Sequence, residues 1–234
     1  MAVNRDFDTL LKQTFFGLDI LTMLGDVEDF IEFSENNIRW QKQRELRRAE
    51  HERNDEVFDD PLFEVQYRDQ ALRGVEYRFE ISLTQRVRYA TLITLITTIE
   101  WVLVALKKRA SFEFPKKPEK MNEAVHALTV FNDKAALRLE QEIHLLKSLI
   151  QIRNCIVHSA GLLASYKHGS ELRRGLVGLS GVGISSKNFL GESIEIEAGF
   201  LEEIINNTRI WLPAVETALI VHGLFFNGTN PAIH

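Results

Sequence analysis

Apolar residues recur at three- and four-residue intervals along most of the chain, the spacing of helices that bury one face. A cap at Asp6 or Asp8, followed by Leu10, Leu11, Phe15, Leu18, Leu21 and Leu24 and then by Phe30 and Phe33, predicts one or two helices. Residues 35–56 are helix-friendly but poor in apolar positions, so they are expected on the surface or packed through Ile38, Trp40 and Leu46. Asp59, Asp60 and Pro61 punctuate the pattern. Pro61 suits a first helical turn, and Leu62, Val65, Leu72, Val75 and Phe79 predict a further helix interrupted near Gly74. Residues 89–106 are mostly apolar. Pro115 and Pro118 then mark a loop, and a short helix through Val125 and Leu128 runs to a turn at Asn132 and Asp133. A helix near 135–159 follows, with Leu139, Ile143, Leu146 and Ile150 on one broad apolar face and Gly161 as its terminator. Beyond Gly161, Leu176, Val177 and Leu179 among glycines and the alternation over 193–197 predict a small two-stranded hairpin. Phe200, Ile204, Ile205, Ile210, Trp211, Val215, Leu219 and Leu224 belong to a last amphipathic helix. The expected fold class is mainly α: a helical bundle with extra N-terminal helices and a small β-hairpin before the last helix.

The chain has 234 residues and is 45% hydrophobic, enough to bury a substantial core. A single domain over 1–234 is expected, with residues 1–84 as an N-terminal helical extension and 85–225 as the core. The one cysteine, Cys155, excludes an internal disulfide and a multi-cysteine zinc site and suits a reducing, cytoplasmic setting. The first residues lack the basic-then-apolar order of a secretory signal, so no export is expected. Residues 89–106 are long enough to span a membrane, but Thr91, Thr94, Thr97, Thr98 and especially Glu100 dilute them, and no membrane role is expected. The net charge of −5 means that any nucleic acid must meet a local basic surface. Two candidate surfaces exist: Arg39, Lys42, Arg44, Arg47, Arg48 and Arg53 in the first third, and Lys107, Lys108, Arg109, Lys116, Lys117 and Lys120 further on. Such runs on helices also arise as plain solvated faces.

The most specific chemistry lies at 153–158, Arg-Asn-Cys-Ile-Val-His. Arg153 falls within the apolar face of its helix, where a guanidinium requires an anion or other acceptors. Asn154 and His158 are four residues apart and therefore neighbours at the border of that face. Glu100 is the only formal charge between Arg88 and Lys107, so a Glu100–Arg153 pair would resolve both. A purely structural reading, with Arg153 paired in the core and His158 interacting with the last carbonyls of the helix, accounts for the same residues. His51, His126, His144, His168 and His222 show no zinc-ligand spacing, and no nucleophile-elbow Gly-x-Ser-x-Gly is present. The glycines near 175–183 lack the Gly-Lys-Ser/Thr of a phosphate loop.

Arg153, the polar Asn154 directly after it and His158 at the end of the same helix resemble the Rx4-6H motif of the HEPN superfamily, here with a four-residue spacer. The preceding apolar helix, the motif helix and the later amphipathic helix are similar to the family pattern over residues 85–225. This resemblance implies a HEPN-like bundle and metal-independent endoribonuclease activity, without a cofactor, often in defence, toxin–antitoxin or RNA-processing systems. Implied roles are proton transfer by His158, phosphate binding by Arg153, and positioning or phosphate contact by Asn154, with Glu100 orienting Arg153. The implied partners are RNA, a second copy of the chain and a neutralising antitoxin. On an ideal helix Arg153 and His158 point about 140° apart, which a homodimer with a composite cleft would reconcile; bending of the Arg side chain would do so within one subunit. A noncatalytic RNA- or nucleotide-binding module and a partner-binding bundle stand as alternatives.

Overall fold

The computed structural model describes residues 3–55, 61–188 and 190–225, with the side chains of residues 3–18, 52–55 and 61 outside that description. The chain is mainly helical, with a small antiparallel hairpin before the last helix. In order, the elements are α1 (Val3–Asp55), α2 (Pro61–Glu76), a π-helical segment (Tyr77–Leu83), α3 (Thr84–Arg109), α4 (Glu123–Ala135), α5 (Glu140–Ser159), α6 (Gly169–Gly175), β1 (Val182–Ser185), β2 (Ser193–Ile196) and α7 (Ala198–Val221).

Residues 3–55 form one continuous helix, so Asp6 and Asp8 lie inside α1 and do not cap it. Its buried side chains Ile20, Leu24, Val27 and Ile31 follow a four-three-four spacing that continues through the half-buried Ser34, Ile38 and Gln41. This seam carries the helix across the apolar-poor stretch where a break was possible. The contacts of Leu10, Leu11, Phe15 and Leu18, and the punctuation at Asp59 and Asp60, lie outside the described residues. No interruption occurs at Gly74, which sits within α2; the helical geometry changes instead at Tyr77, where seven residues widen into π turns.

Two compact units share the chain. Unit 1 comprises Met1–Val27, Ile93–Arg153 and Glu202–His234; unit 2 comprises Glu28–Leu92 and Asn154–Leu201. These units cut across the 84/85 division, because α1, α3, α5 and α7 each contribute to both. Unit 1 is centred on Leu95, Ile99 and Leu103 of α3, Phe131 of α4, Leu146 and Leu149 of α5, and Leu212 and Leu219 of α7, all essentially buried. The helical stretch Leu62–Arg109 is long and apolar enough to cross a membrane, yet half of its most apolar window is buried inside the protein, as a core helix is.

In unit 1, α4 extends past Asn132 and Asp133 to Ala135, so the expected turn is helical. Asn132 is buried. Its Oδ1 accepts from Leu139 N at 2.7 Å and its Nδ2 donates to Glu140 at 3.2 Å. That asparagine fastens the next turn, where Ala136 and Arg138 adopt positive φ, and it delays the start of α5 to Glu140.

In unit 2, β1 and β2 pair antiparallel with Val182 opposite Ile196 and Ser185 opposite Ser193. The second strand lies where the alternation placed it, whereas Leu176–Leu179 belong to the end of α6 and the following turn. The end of α5 is closed by Gly161 N donating to Cys155 O at 3.3 Å, a return bond across six residues that satisfies one of the last helical carbonyls. Gly161 O then accepts from Ile194 N at 3.0 Å, tying this turn to β2. Gly161 has a φ of +81°, and a Cβ there would lie 2.5 Å from the Tyr89 hydroxyl oxygen. That hydroxyl donates to Ile194 O. Gly161→Ala is therefore expected to cost about 1–3 kcal/mol, from left-handed strain and from displacement of Tyr89. Chemical denaturation should read this as a lower midpoint, and an unchanged midpoint would contradict the close packing.

Candidate functional site

The last two turns of α5 carry the three motif side chains, and the boundary between the two units falls between Arg153 and Asn154. In unit 1, Arg153 Nη2 donates to Glu100 Oε1 at 2.9 Å, so the pair read from two apolar helices forms. Both side chains are about one fifth exposed, which leaves the pair partly screened by solvent. The same carboxylate oxygen accepts from Asn122 Nδ2 at 2.8 Å, and Asn122 Oδ1 caps α4 by accepting from Ala124 N at 2.8 Å and Val125 N at 3.4 Å. Glu100 thereby links α3, α4 and α5. Arg153 Nε is buried and has no hydrogen-bond partner among the described residues, so one donor of the guanidinium is not satisfied by this arrangement.

Asn122 was not singled out in the sequence. A usable signal was present: asparagine directly before Glu123 and an apolar-periodic run, four residues after Pro118, is the pattern of an N-cap. Glu100→Ala would leave Arg153 without its anion and Asn122 without its acceptor. The expected cost is about 1–3 kcal/mol, below that of a fully dry ion pair because of the residual exposure. Asn122→Ala should cost about 1 kcal/mol as a lost cap, and a double-mutant cycle would show coupling between the two; strict additivity would rule the shared network out.

In unit 2, His158 is exposed on the final turn of α5, and Asn154 is half-buried one turn earlier. Neither side chain has a hydrogen-bond or ion-pair partner among the described residues. His158 is thus not engaged with the last carbonyls of the helix. Between them Cys155 is buried, its thiol pushed up to about 11 by desolvation, so it packs as a small apolar side chain and is a poor nucleophile near neutral pH. Val157 is 54% exposed beside His158.

Several basic side chains of the two clusters pair with local acids. Arg39 pairs with Glu35, Lys42 with Glu80 and Arg44 with Glu45, while Lys107 pairs with Glu123 and Arg109 with Glu216. Lys117 donates to Met121 O. These pairs offset part of the positive charge of each cluster, as on solvated helix faces, and the Arg53 side chain lies outside the described residues. Among the other histidines, His126 is buried on α4 with its ring edge-on to Phe114. Burial, and then Lys107, lower its pKa and keep it neutral. Among the described residues, no group of three or more His, Cys, Asp and Glu side chains is placed to hold a metal ion. Comparison with protein families, characterised proteins and solved structures finds no match to this chain.

Proposed function

We propose that this protein is a HEPN-type endoribonuclease that cleaves RNA through attack of the substrate's own 2′-hydroxyl, without a metal ion or other cofactor. RNA carries the nucleophile, so the protein has only to move protons and to stabilise charge on the adjacent phosphate. The supporting observation is hydrogen-bonding capacity left open at one helix end: Asn154 and His158, one turn apart, lack partners among the described residues, and Arg153 keeps a buried, unpartnered Nε. In this mechanism His158 transfers the proton, imidazole being the side chain most often used for general acid–base work near neutral pH. Arg153 holds the phosphate, Asn154 positions His158 or donates to a phosphate oxygen, and Glu100 orients Arg153. The products carry a cyclic phosphate and a 5′-hydroxyl. The exposed Val157 and the angular separation of Arg153 from His158 on α5 support a homodimer in which both chains line one cleft. The reading places the protein in the cytoplasm, with a neutralising antitoxin as a further partner.

The test incubates purified protein with labelled single-stranded and structured RNAs in the presence of chelator, beside Arg153→Ala. Cleavage by the parent and its loss in the variant are expected, and activity destroyed by chelator would overturn the metal-free mechanism. Cleavage retained by separated monomers would overturn the shared cleft. One observation favours a second reading, a noncatalytic RNA- or partner-binding module: Glu100 already satisfies Arg153 in part and joins it to the α4 cap, a structural duty sufficient to explain its burial. RNA binding without cleavage in parent and variant alike would select the RNA-binding form; no RNA interaction would select the partner-binding form.

A further inference from the structure

Unit 2 contains a cavity of about 220 Å³ whose chemistry is not that of the α5 motif. One wall is the π segment and the start of α3; the opposite wall comes from β2, the loop before it and the turn that follows α5. Tyr77, Ser82 and Arg86 face into it from one helical side. In an α-helix residues five apart point about 140° from each other, so Tyr77 and Ser82 would diverge. The wider π turn reduces that divergence, and Arg86 lies four residues beyond Ser82, just inside α3, so that all three line the cavity. The widened turn therefore aligns an aromatic ring, a hydroxyl and a guanidinium along one cavity wall.

Much of the remaining polar lining is engaged in holding the walls together. Gln85 donates to Ile196 O and accepts from Ile196 N, at 3.0 and 2.9 Å. The Tyr89 hydroxyl donates to Ile194 O, which leaves mainly the tyrosine ring to a ligand, and Asn188 Oδ1 accepts from Leu190 N at 3.0 Å. Tyr77, Ser82 and Arg86 have no hydrogen-bond or ion-pair partner among the described residues. Lys187 also lines the cavity and is paired with Glu195 at 2.8 Å, so the lining carries one net positive charge, that of Arg86.

We propose that this cavity binds one nucleotide, with the base against Tyr77 and its phosphate on Arg86 and Ser82. An aromatic face suits a planar base, and a guanidinium beside a hydroxyl suits a phosphate. The cavity is below the volume of a typical drug-sized cleft, which fits a single base with its phosphate toward the rim and not an oligonucleotide path. A free nucleoside monophosphate and a nucleotide within an RNA strand share this chemistry; the second source rests on the ribonuclease reading, whereas the first does not.

The experiment titrates the full-length protein with AMP, GMP, CMP and UMP by calorimetry, with nucleosides and inorganic phosphate as partial ligands. At least one monophosphate is expected to bind more tightly than either of its parts, and Arg86→Ala and Tyr77→Leu should each weaken it about tenfold or more. Arg86 is exposed, so its replacement is expected to leave the circular dichroism spectrum and melting midpoint unchanged. Absence of binding at millimolar concentrations, or equal affinity in parent and folded Arg86→Ala, overturns the proposal. In a parallel RNA cleavage assay, a higher KM at unchanged kcat in Arg86→Ala, with competition by the monophosphate, assigns the pocket to the RNA strand. Unaltered cleavage beside weakened monophosphate binding assigns it to the free nucleotide. Cleavage without any nucleotide binding sinks the pocket and spares the ribonuclease reading; nucleotide binding without cleavage does the reverse.

Discussion

His158→Ala is expected to lower the rate of RNA cleavage by about 10²–10⁴-fold, the usual contribution of a positioned general acid or base. The side chain is exposed at the end of α5 and has no partner among the described residues, so its removal should leave the melting midpoint within about 0.5 kcal/mol of the parent in stability terms. That combination separates chemistry from folding. Arg153→Ala would affect both, because Arg153 is joined to Glu100 and through it to the α4 cap. A folded His158→Ala variant that cleaves RNA at the parental rate would remove His158 from the reaction. Loss of cleavage with loss of fold would instead assign it a structural duty that its exposure does not suggest. The parental pH–rate profile should carry a limb that is absent from whatever activity the variant retains.

The second large effect concerns stability and pH. Glu216 is buried on α7, where desolvation pushes its carboxyl up to about 7 from the ordinary 4.5. The Arg109 guanidinium, with Nη1 at 3.3 Å, opposes this shift without cancelling it. Between those two values the unfolded chain releases the proton while the folded chain keeps it, so the folded state binds more protons and stability falls as pH rises. Below about 4.5 both states are protonated, and above about 7 both are ionised. The loss across that window is about 3 kcal/mol, set by the difference between the two pKa values. Glu216→Gln keeps an acceptor for Arg109 and cannot ionise. The stability of the variant relative to the parent should therefore increase by about 3 kcal/mol from pH 4.5 to pH 7.5 and then level off. Urea denaturation across that range measures the difference directly, and parallel curves for the two proteins would show that burial does not hold the Glu216 proton.

Several features of the fold were legible because they are set locally. Apolar spacing marks the buried faces of α3, α5 and α7, and Gly161 closes α5 because its left-handed φ and missing side chain admit both the return bond to Cys155 and the Tyr89 ring. The Glu100–Arg153 pair was legible for a similar reason: a single carboxylate and a single guanidinium, each set in an apolar helix, leave few other partners. Other features depended on contacts remote in sequence. The charged second half of α1 remains helical without an apolar stripe of its own, held in part by Lys42 to Glu80 and Glu35 to Arg88. The turn expected at Asn132 and Asp133 lies inside α4 because Asn132 is buried and its side chain serves Leu139 and Glu140. The first strand of the hairpin lies at Val182, since register with Ile196 decides the pairing and glycine density does not.

By itself, the sequence determined that this protein is mainly helical with a late β-hairpin, that Arg153, Asn154 and His158 occupy one helix end, and that Glu100 is the available counter-charge for Arg153. Helical period and the cost of an unpaired charge act over a few residues or admit few solutions, so they can be read in one dimension. Only the tertiary structure decided that Asn122 joins the Glu100 network, that Lys107 and Lys42 find the carboxylates of Glu123 and Glu80, that Glu216 holds its proton near neutrality, and that Tyr77, Ser82 and Arg86 line one cavity across a π turn. Each depends on which segments meet and how much water they exclude, quantities that arise only when distant parts of the chain pack together.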